Sequence, residues 1–136
     1  MMEQGAIERT QLRAIDQFLE EYYEGGKTQE AGELMAVNGM KKSQLRGLEN
    51  LIVSTTRFSE IVNYIKNQVG KEKRDDTWRK IGPKLLTQLE DLEVKAMEIA
   101  GEDPARRLQV KLHLAKGWAR QVVAHYLYKA QDEGGR

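Results

Sequence analysis

Cysteine is absent from this chain of 136 residues. Its absence excludes disulfides and thiolate metal sites, and it fits a reducing compartment. Histidine is scarce too: His113 and His125 lie outside any carboxylate cluster with metal-ligand spacing. No apolar run approaches the ~20 residues that span a bilayer, and the polar start, Met1 to Thr10, does not resemble a signal peptide. We therefore expect a cytoplasmic protein that binds neither a metal nor a membrane.

Sequence motifs for catalysis and nucleotide binding are missing as well. The chain contains no GxxxxGK[ST] loop and no GxGxxG that follows a strand. The serines Ser43, Ser54 and Ser59 have no neighbours that suggest a catalytic triad. We predict no cofactor, no catalytic residue and no enzymatic activity.

Helical periodicity dominates what is present, because no segment alternates apolar and polar residues as a strand would. Glycines mark the breaks, and both prolines, Pro83 and Pro104, are expected to begin helices. The predicted helices run from about 6 to 24, 28 to 37, 43 to 69, 83 to 100 and 104 to 130, with a short helical piece at Trp78. This pattern predicts an all-α, compact antiparallel bundle of about five helices, a single domain over residues 1–136 with a loose tail from about residue 132.

Three local features refine that prediction. Ser43 is expected to cap the third helix. Thr55 and Thr56 interrupt its apolar stripe and allow a bend. The charged stretch from Lys71 to Asp76 is expected to form a loop.

The net charge of +1 predicts no partner by itself, but the charges are unevenly distributed. The first 24 residues are acidic, whereas the stretch from Pro104 to Gln131 contains six basic residues and no acid. Helical spacing places several of its polar residues along one edge of the last helix, beside an apolar stripe: Arg106, Gln109, His113, Lys116 and Arg120. Long cations in this arrangement suit a phosphate backbone.

A second basic group, Lys41, Lys42 and Arg46, surrounds the start of the third helix, where free backbone N–H groups also favour anions. The simpler interpretation is that these bases are solvated or pair with acids of a neighbouring helix, such as the acidic first helix. The opposite charges at the two ends of the chain would also allow copies to stack head to tail.

Arg120 and His125, separated by four residues, resemble the active motif of HEPN helical ribonucleases. That resemblance implies a nuclease in which His125 acts as general acid or base and Arg120 stabilises the phosphate. The alternative is that His125 is a partly buried helix residue.

Two segments carry a second resemblance. The sequence Gly39-Met40-Lys41-Lys42-Ser43-Gln44-Leu45-Arg46 opens a long helix, and Trp118-Ala119-Arg120-Gln121-Val122-Val123-Ala124-His125-Tyr126-Leu127-Tyr128 lies near the C-terminus. Together, and with the acidic segment from Ile7 to Gly26, they resemble the small helical subunit of type III-A CRISPR effector complexes.

That resemblance implies a non-catalytic subunit of a ribonucleoprotein in antiviral defence. Several copies would form a stacked filament with other subunits of the complex and hold the backbones of guide RNA and target RNA. The RNA-binding residues it favours are Lys41, Lys42, Gln44, Arg46, Arg57, Arg106, Lys116 and Arg120.

Alternatives stay open for several of these residues. Gln44 and Arg46 could instead cap the helix or form an internal ion pair, for example with Glu49. Trp78 and Trp118 could stack on bases or serve in the core. The whole chain could also be a helical protein–protein adaptor whose basic face meets an acidic partner.

Overall fold

The computed structural model describes residues 6–72 and 76–132 of the chain. Within these residues the fold is all-helical, as predicted, with six helices in place of about five. They are α1 (Arg9–Glu24), α2 (Lys27–Val37), α3 (Lys42–Ser54), α4 (Phe58–Lys71), α5 (Thr77–Ala100) and α6 (Pro104–Asp132). None of the helices described is long and apolar enough to cross a membrane.

Helix α6 lies at the centre of the fold and contacts each of the other five helices. Pro104 begins it, as predicted, because a first helical turn does not need the missing N–H. The apolar stripe predicted for this helix is buried along most of its length: Leu112, Ala115, Ala119, Val122 and Tyr126 are buried, and Leu108 is half-buried. The burial of this stripe leaves one narrow strip of α6 in contact with solvent.

Helix α5 runs antiparallel to α6. The Trp118 indole N–H donates to Gln88 Oε1 at 2.8 Å, and Lys111 lies 3.6 Å from Glu93. Residue numbers therefore rise along α5 as they fall along α6. This pairing covers the side of α6 opposite its exposed strip.

Helix α1 covers a different side of α6 and runs in the same direction. Arg106 contacts the segment just before α1, and the Gln121 amide donates to the Leu19 carbonyl at 3.1 Å. Helix α2 packs closely against α6 at Gly32. A β-carbon added to Gly32 would come within 2.7 Å of the His125 β-carbon and the Val122 carbonyl oxygen. Only glycine fits there without displacement of the backbone.

The long third helix predicted from residue 43 to 69 is in fact two helices, α3 and α4. Thr55 stops α3 in an extended conformation, with φ −73° and ψ 151°. Its hydroxyl accepts the Arg57 N–H at 3.1 Å and also donates to the Glu60 carboxylate. A threonine hydroxyl that binds nearby backbone competes with the helix, so the expected bend becomes a break.

The prediction for Pro83 is wrong as well, because this residue lies inside α5 rather than at its start. The turns before it are buried: Trp78 is 2% exposed and Ile81 is fully buried. The Thr77 hydroxyl also donates to the Asn38 carbonyl at 3.0 Å. Tertiary contacts hold the segment helical despite the hydrogen bond that proline removes.

Parts of two predicted irregular segments lie outside the described residues. Of the charged loop, Lys71 ends α4 and Asp76 precedes α5 with φ 60°. The intervening residues 73–75 are not described, and neither are residues 133–136 of the predicted tail.

Candidate nucleic-acid interface

At the start of α3 the lysines are exposed, and the side-chain amide of Gln44 caps the first turn. Lys41 is the N-cap and Lys42 the first helical residue, so the prediction that Ser43 caps this helix is wrong. The Lys41 backbone N–H donates to Gln44 Oε1 at 2.8 Å. Gln44 therefore has the capping role that the sequence left open, because an amide at the third helical position reaches back to the N-cap N–H.

Lys41 and Lys42 are exposed, and the described residues offer no acid to either of them. Arg46, one turn further on, lies 3.4 Å from Glu49, so the internal pair considered from the sequence is present. The Arg46 side chain is still 62% exposed. An exposed ion pair of this kind contributes about 1 kcal/mol or less, and it leaves the guanidinium able to turn toward a phosphate.

Arg57 lies at the far end of α3, in the short link to α4. It pairs with Glu60 at 2.9 Å. A hydrogen bond from Thr55 lowers the pKa of the Glu60 carboxyl, and Arg57 adds to that shift. Because α3 has 13 residues, Arg57 stands about 20 Å from the Lys41 end. Arg57 therefore lies at the opposite end of α3 from Lys41 and Lys42.

Three basic residues of α6 have hydrogen-bond or ion-pair partners within the protein. Arg106 donates from Nε to the Ala6 carbonyl at 2.9 Å, lies 3.9 Å from Glu8 and is 19% exposed. Arg107 makes two hydrogen bonds to the Gly101 carbonyl. Lys111 lies beside Glu93 and over the Phe58 ring, whose centre is 5.5 Å away. Pairing with neighbouring helices, the simpler interpretation of these charges, accounts for Arg106 and Lys111.

Lys116 and Arg120 differ from these three. Arg120 is exposed and Lys116 half-buried, and no acid in residues 6–72 or 76–132 pairs with either. Helical spacing places both on the exposed strip of α6, which we define as Gln109, His113, Lys116, Arg120, Ala124 and Tyr128. The strip agrees with the predicted edge, apart from Arg106 at its beginning.

The start of α3 packs against the second half of α6, a segment far from it in the sequence. Lys42, Arg46 and Glu49 line a groove together with Val123 and Leu127 of α6. We call this line of contact between the two helices the α3–α6 seam.

Arg120 is on the α6 side of the seam, since Val123 and Leu127 lie one and two turns beyond it. Lys41, Lys42 and Arg46 are on the α3 side. Lys42 and Arg46 line one end of the seam together with Glu49, whereas Lys116 lies toward its other end, where Ile52 packs against Trp118 and Ala119.

Both tryptophans belong to the core. Trp118 is 1% exposed and Trp78 is 2% exposed. Trp118 bonds to Gln88, whose own amide donates to the Lys27 carbonyl at 2.9 Å. Trp78 packs edge-on against Tyr64, with ring centres 6.1 Å apart. Neither ring can stack on a base in this fold, so the alternative of a core role holds.

His125 is half-buried, which matches the simpler interpretation of this residue. Its ring stacks on Tyr23, with the ring centres 5.2 Å apart. Its Nε2 is buried and has no hydrogen-bond partner in the part of the chain that is described. A buried nitrogen cannot reach an RNA phosphate, so this geometry gives no support to the ribonuclease motif.

Two exposed tyrosines, Tyr23 and Tyr128, were not among the residues selected from the sequence. Tyr128 is 75% exposed and Tyr23 is 49% exposed. A signal for Tyr128 was present, because it follows Arg120 by eight residues and continues the same helical edge. No comparable signal existed for Tyr23, whose position depends on the contact between α1 and α6.

A separate cleft of about 340 Å³ lies between α2 and α5. Three of its charged side chains, Glu30, Lys84 and Asp91, have partners within the protein, and Lys27 and Lys80 also line it. Lys84 lies 2.6 Å from Glu30, and this hydrogen bond lowers the pKa of the Glu30 carboxyl. Asp91 accepts the Tyr22 hydroxyl at 2.9 Å; burial and then this bond raise the pKa of Tyr22. The described residues contain no group of three histidines or acids placed to hold a metal.

Comparisons of the chain with protein-family models, with curated proteins and with solved structures find no match.

The capping role of Gln44 leads to a stability prediction. Gln44→Ala should lower the free energy of unfolding by about 0.5–1 kcal/mol, because the Lys41 N–H loses its acceptor. Gln44→Glu keeps a side-chain oxygen at the same position and should remain close to the parent protein. Urea unfolding measures both variants, and an equal loss in the two would contradict the capping role.

Proposed function

We propose that this chain is a non-catalytic small subunit of a type III CRISPR ribonucleoprotein, which works in the cytoplasm and holds the backbone of guide or target RNA. The observation that supports this proposal is the pair of basic groups that lie along the α3–α6 seam. Lys41, Lys42, Lys116 and Arg120 have no acidic partner among the described residues. They are cations available to an external anion.

The chemistry of the seam favours contact with phosphates. Long, mobile lysine and arginine side chains fit phosphate oxygens, which carry no sequence information. The start of α3 adds backbone N–H groups and the positive end of the helix dipole. A subunit of this kind grips the RNA backbone whatever its sequence, and its affinity falls steeply as salt is added.

The acidic charges of α1 support association between copies. The exposed face of α1 presents Asp16, Glu20 and Glu24. Opposite charges on two surfaces of one chain favour head-to-tail contacts, which generate open filaments when the rotation does not close into a ring. Several copies stacked in this way would line a guide RNA along their seams.

The proposal is tested by what accompanies the protein in the cell. A tagged chain, expressed at its natural level and purified gently at low salt, should carry discrete short RNAs and larger CRISPR proteins in fixed proportion. Sequencing of the RNA and mass spectrometry of the proteins identify them. A chain that purifies alone, or with proteins but without RNA, would overturn the proposal and favour the adaptor.

A further inference from the structure

Two exposed tyrosines lie near the C-terminal half of α6, one on α6 and one on α1 beside His125. Of the aromatic side chains in residues 6–72 and 76–132, Tyr23 and Tyr128 are exposed and the others are buried or half-buried. Each of these tyrosines exposes apolar ring surface that a planar partner could cover. Both are near the same end of α6, beside its exposed cations.

Tyr128 continues the line of cations on α6. Arg120, Ala124 and Tyr128 follow at intervals of four residues and so occupy one face, with about 12 Å of helix between the first and the last. Ala124 is exposed and carries only a methyl group. The surface between the guanidinium and the tyrosine ring is therefore open.

Tyr23 extends this surface onto α1. Its ring lies against the His125 ring at 5.2 Å with an angle of 28° between the planes. Tyr128 follows His125 by three residues, so the two side chains are neighbours along α6. The stack on His125 holds one face of Tyr23 in place, and nearly half of the side chain stays exposed.

We propose that Tyr23 and Tyr128 form a base-stacking platform for single-stranded RNA, with its phosphates held at Lys116 and Arg120. This inference rests on the proposed function and specifies how the RNA is bound. Bases stack on aromatic rings with little regard for sequence, because every base has a π face. The cations and the rings then bind successive parts of the same strand.

A single strand suits this surface better than a duplex or a protein. The bases of a duplex are already stacked within the helix and cannot lie on a tyrosine. An acidic protein would satisfy the cations but would leave the rings without a planar partner. The occupant we assign is therefore a strand with unpaired bases.

The test compares three RNA ligands with two tyrosine variants. The ligands are a uridine oligomer, a duplex of equal length, and an oligomer of the same backbone that lacks bases. Tyr128→Ala should bind the uridine oligomer about tenfold more weakly than the parent protein, in line with the loss of one stacked base. Its affinity for the duplex and for the oligomer without bases should not change. Tyr128→Phe, which keeps the ring, should behave as the parent protein.

The dependence of RNA affinity on salt distinguishes base stacking at the tyrosines from phosphate contacts at the cations. Loss of a stacked base should leave the slope of log affinity against log salt unchanged, because no phosphate contact is lost. Tyr128 is exposed, so its alanine variant should unfold like the parent protein. An unchanged affinity of Tyr128→Ala for the uridine oligomer, or an equal loss for all three ligands, would overturn the platform while the proposed function stands. Failure of the parent protein to bind any of the three would overturn both.

Discussion

Replacement of Trp118 by alanine should lower the free energy of unfolding by about 3–5 kcal/mol, the range for large aromatic residues removed from a core. Trp118 is 1% exposed on the helix that contacts all the others. The change leaves a cavity and removes the hydrogen bond to Gln88, which is 3% exposed and would keep an unpaired oxygen. Because small domains have total stabilities of about 5–15 kcal/mol, this variant should lose a large share of its stability.

A second variant separates packing from the hydrogen bond. Trp118→Phe keeps an aromatic ring but has no N–H, so its loss should be smaller than that of Trp118→Ala and should include the cost of an unsatisfied Gln88 oxygen, about 1–3 kcal/mol. Urea unfolding followed by far-UV circular dichroism measures both losses. A stable Trp118→Ala variant that binds RNA more weakly would mean that this ring contacts the ligand rather than the core.

The fold could be predicted to the extent that local patterns determine it. Helical periodicity identified the buried stripe of α6, and Pro104 marked its start. The sequence indicated a bend at Thr55, but neither the full break there nor the continuous helix through Pro83 could be predicted. Both depend on competition between the local preference of a residue and contacts formed elsewhere, such as the Thr77 bond to Asn38.

For the candidate site, too, local patterns were predictable and contacts between distant segments were not. The spacing of Lys116 and Arg120 correctly indicated a shared exposed edge. Arg106 fits that spacing equally well, yet it is bound to a carbonyl that is 100 residues away in the sequence. A pattern on one helix shows which side chains share a face, but the neighbouring segments decide which of them stay free. The α3–α6 seam, likewise, exists only once two distant helices pack together.

Reversal of both free cations on α6 should have the largest effect on RNA binding. The double variant Lys116→Glu, Arg120→Glu should bind single-stranded RNA between about tenfold and a hundredfold more weakly at moderate salt. Two lost phosphate contacts should also reduce the slope of log affinity against log salt by about 1.4, since each contributes ~0.7 on a single strand. Fluorescence anisotropy with a labelled oligomer, repeated at several salt concentrations, gives both quantities.

A matched control changes the net charge by the same amount as the α6 double variant. Lys66→Glu, Lys80→Glu makes an equal change at two exposed lysines of α4 and α5, outside the seam. If the seam holds the RNA, this control should lose little affinity and keep the salt slope of the parent protein, because distant exposed charges are largely screened. Equal losses in the two double variants would mean that net charge alone attracts RNA, and the seam would then have no special role. An unchanged affinity in the α6 variant, with normal unfolding, would exclude the last helix from the interface and leave α3 as the remaining candidate.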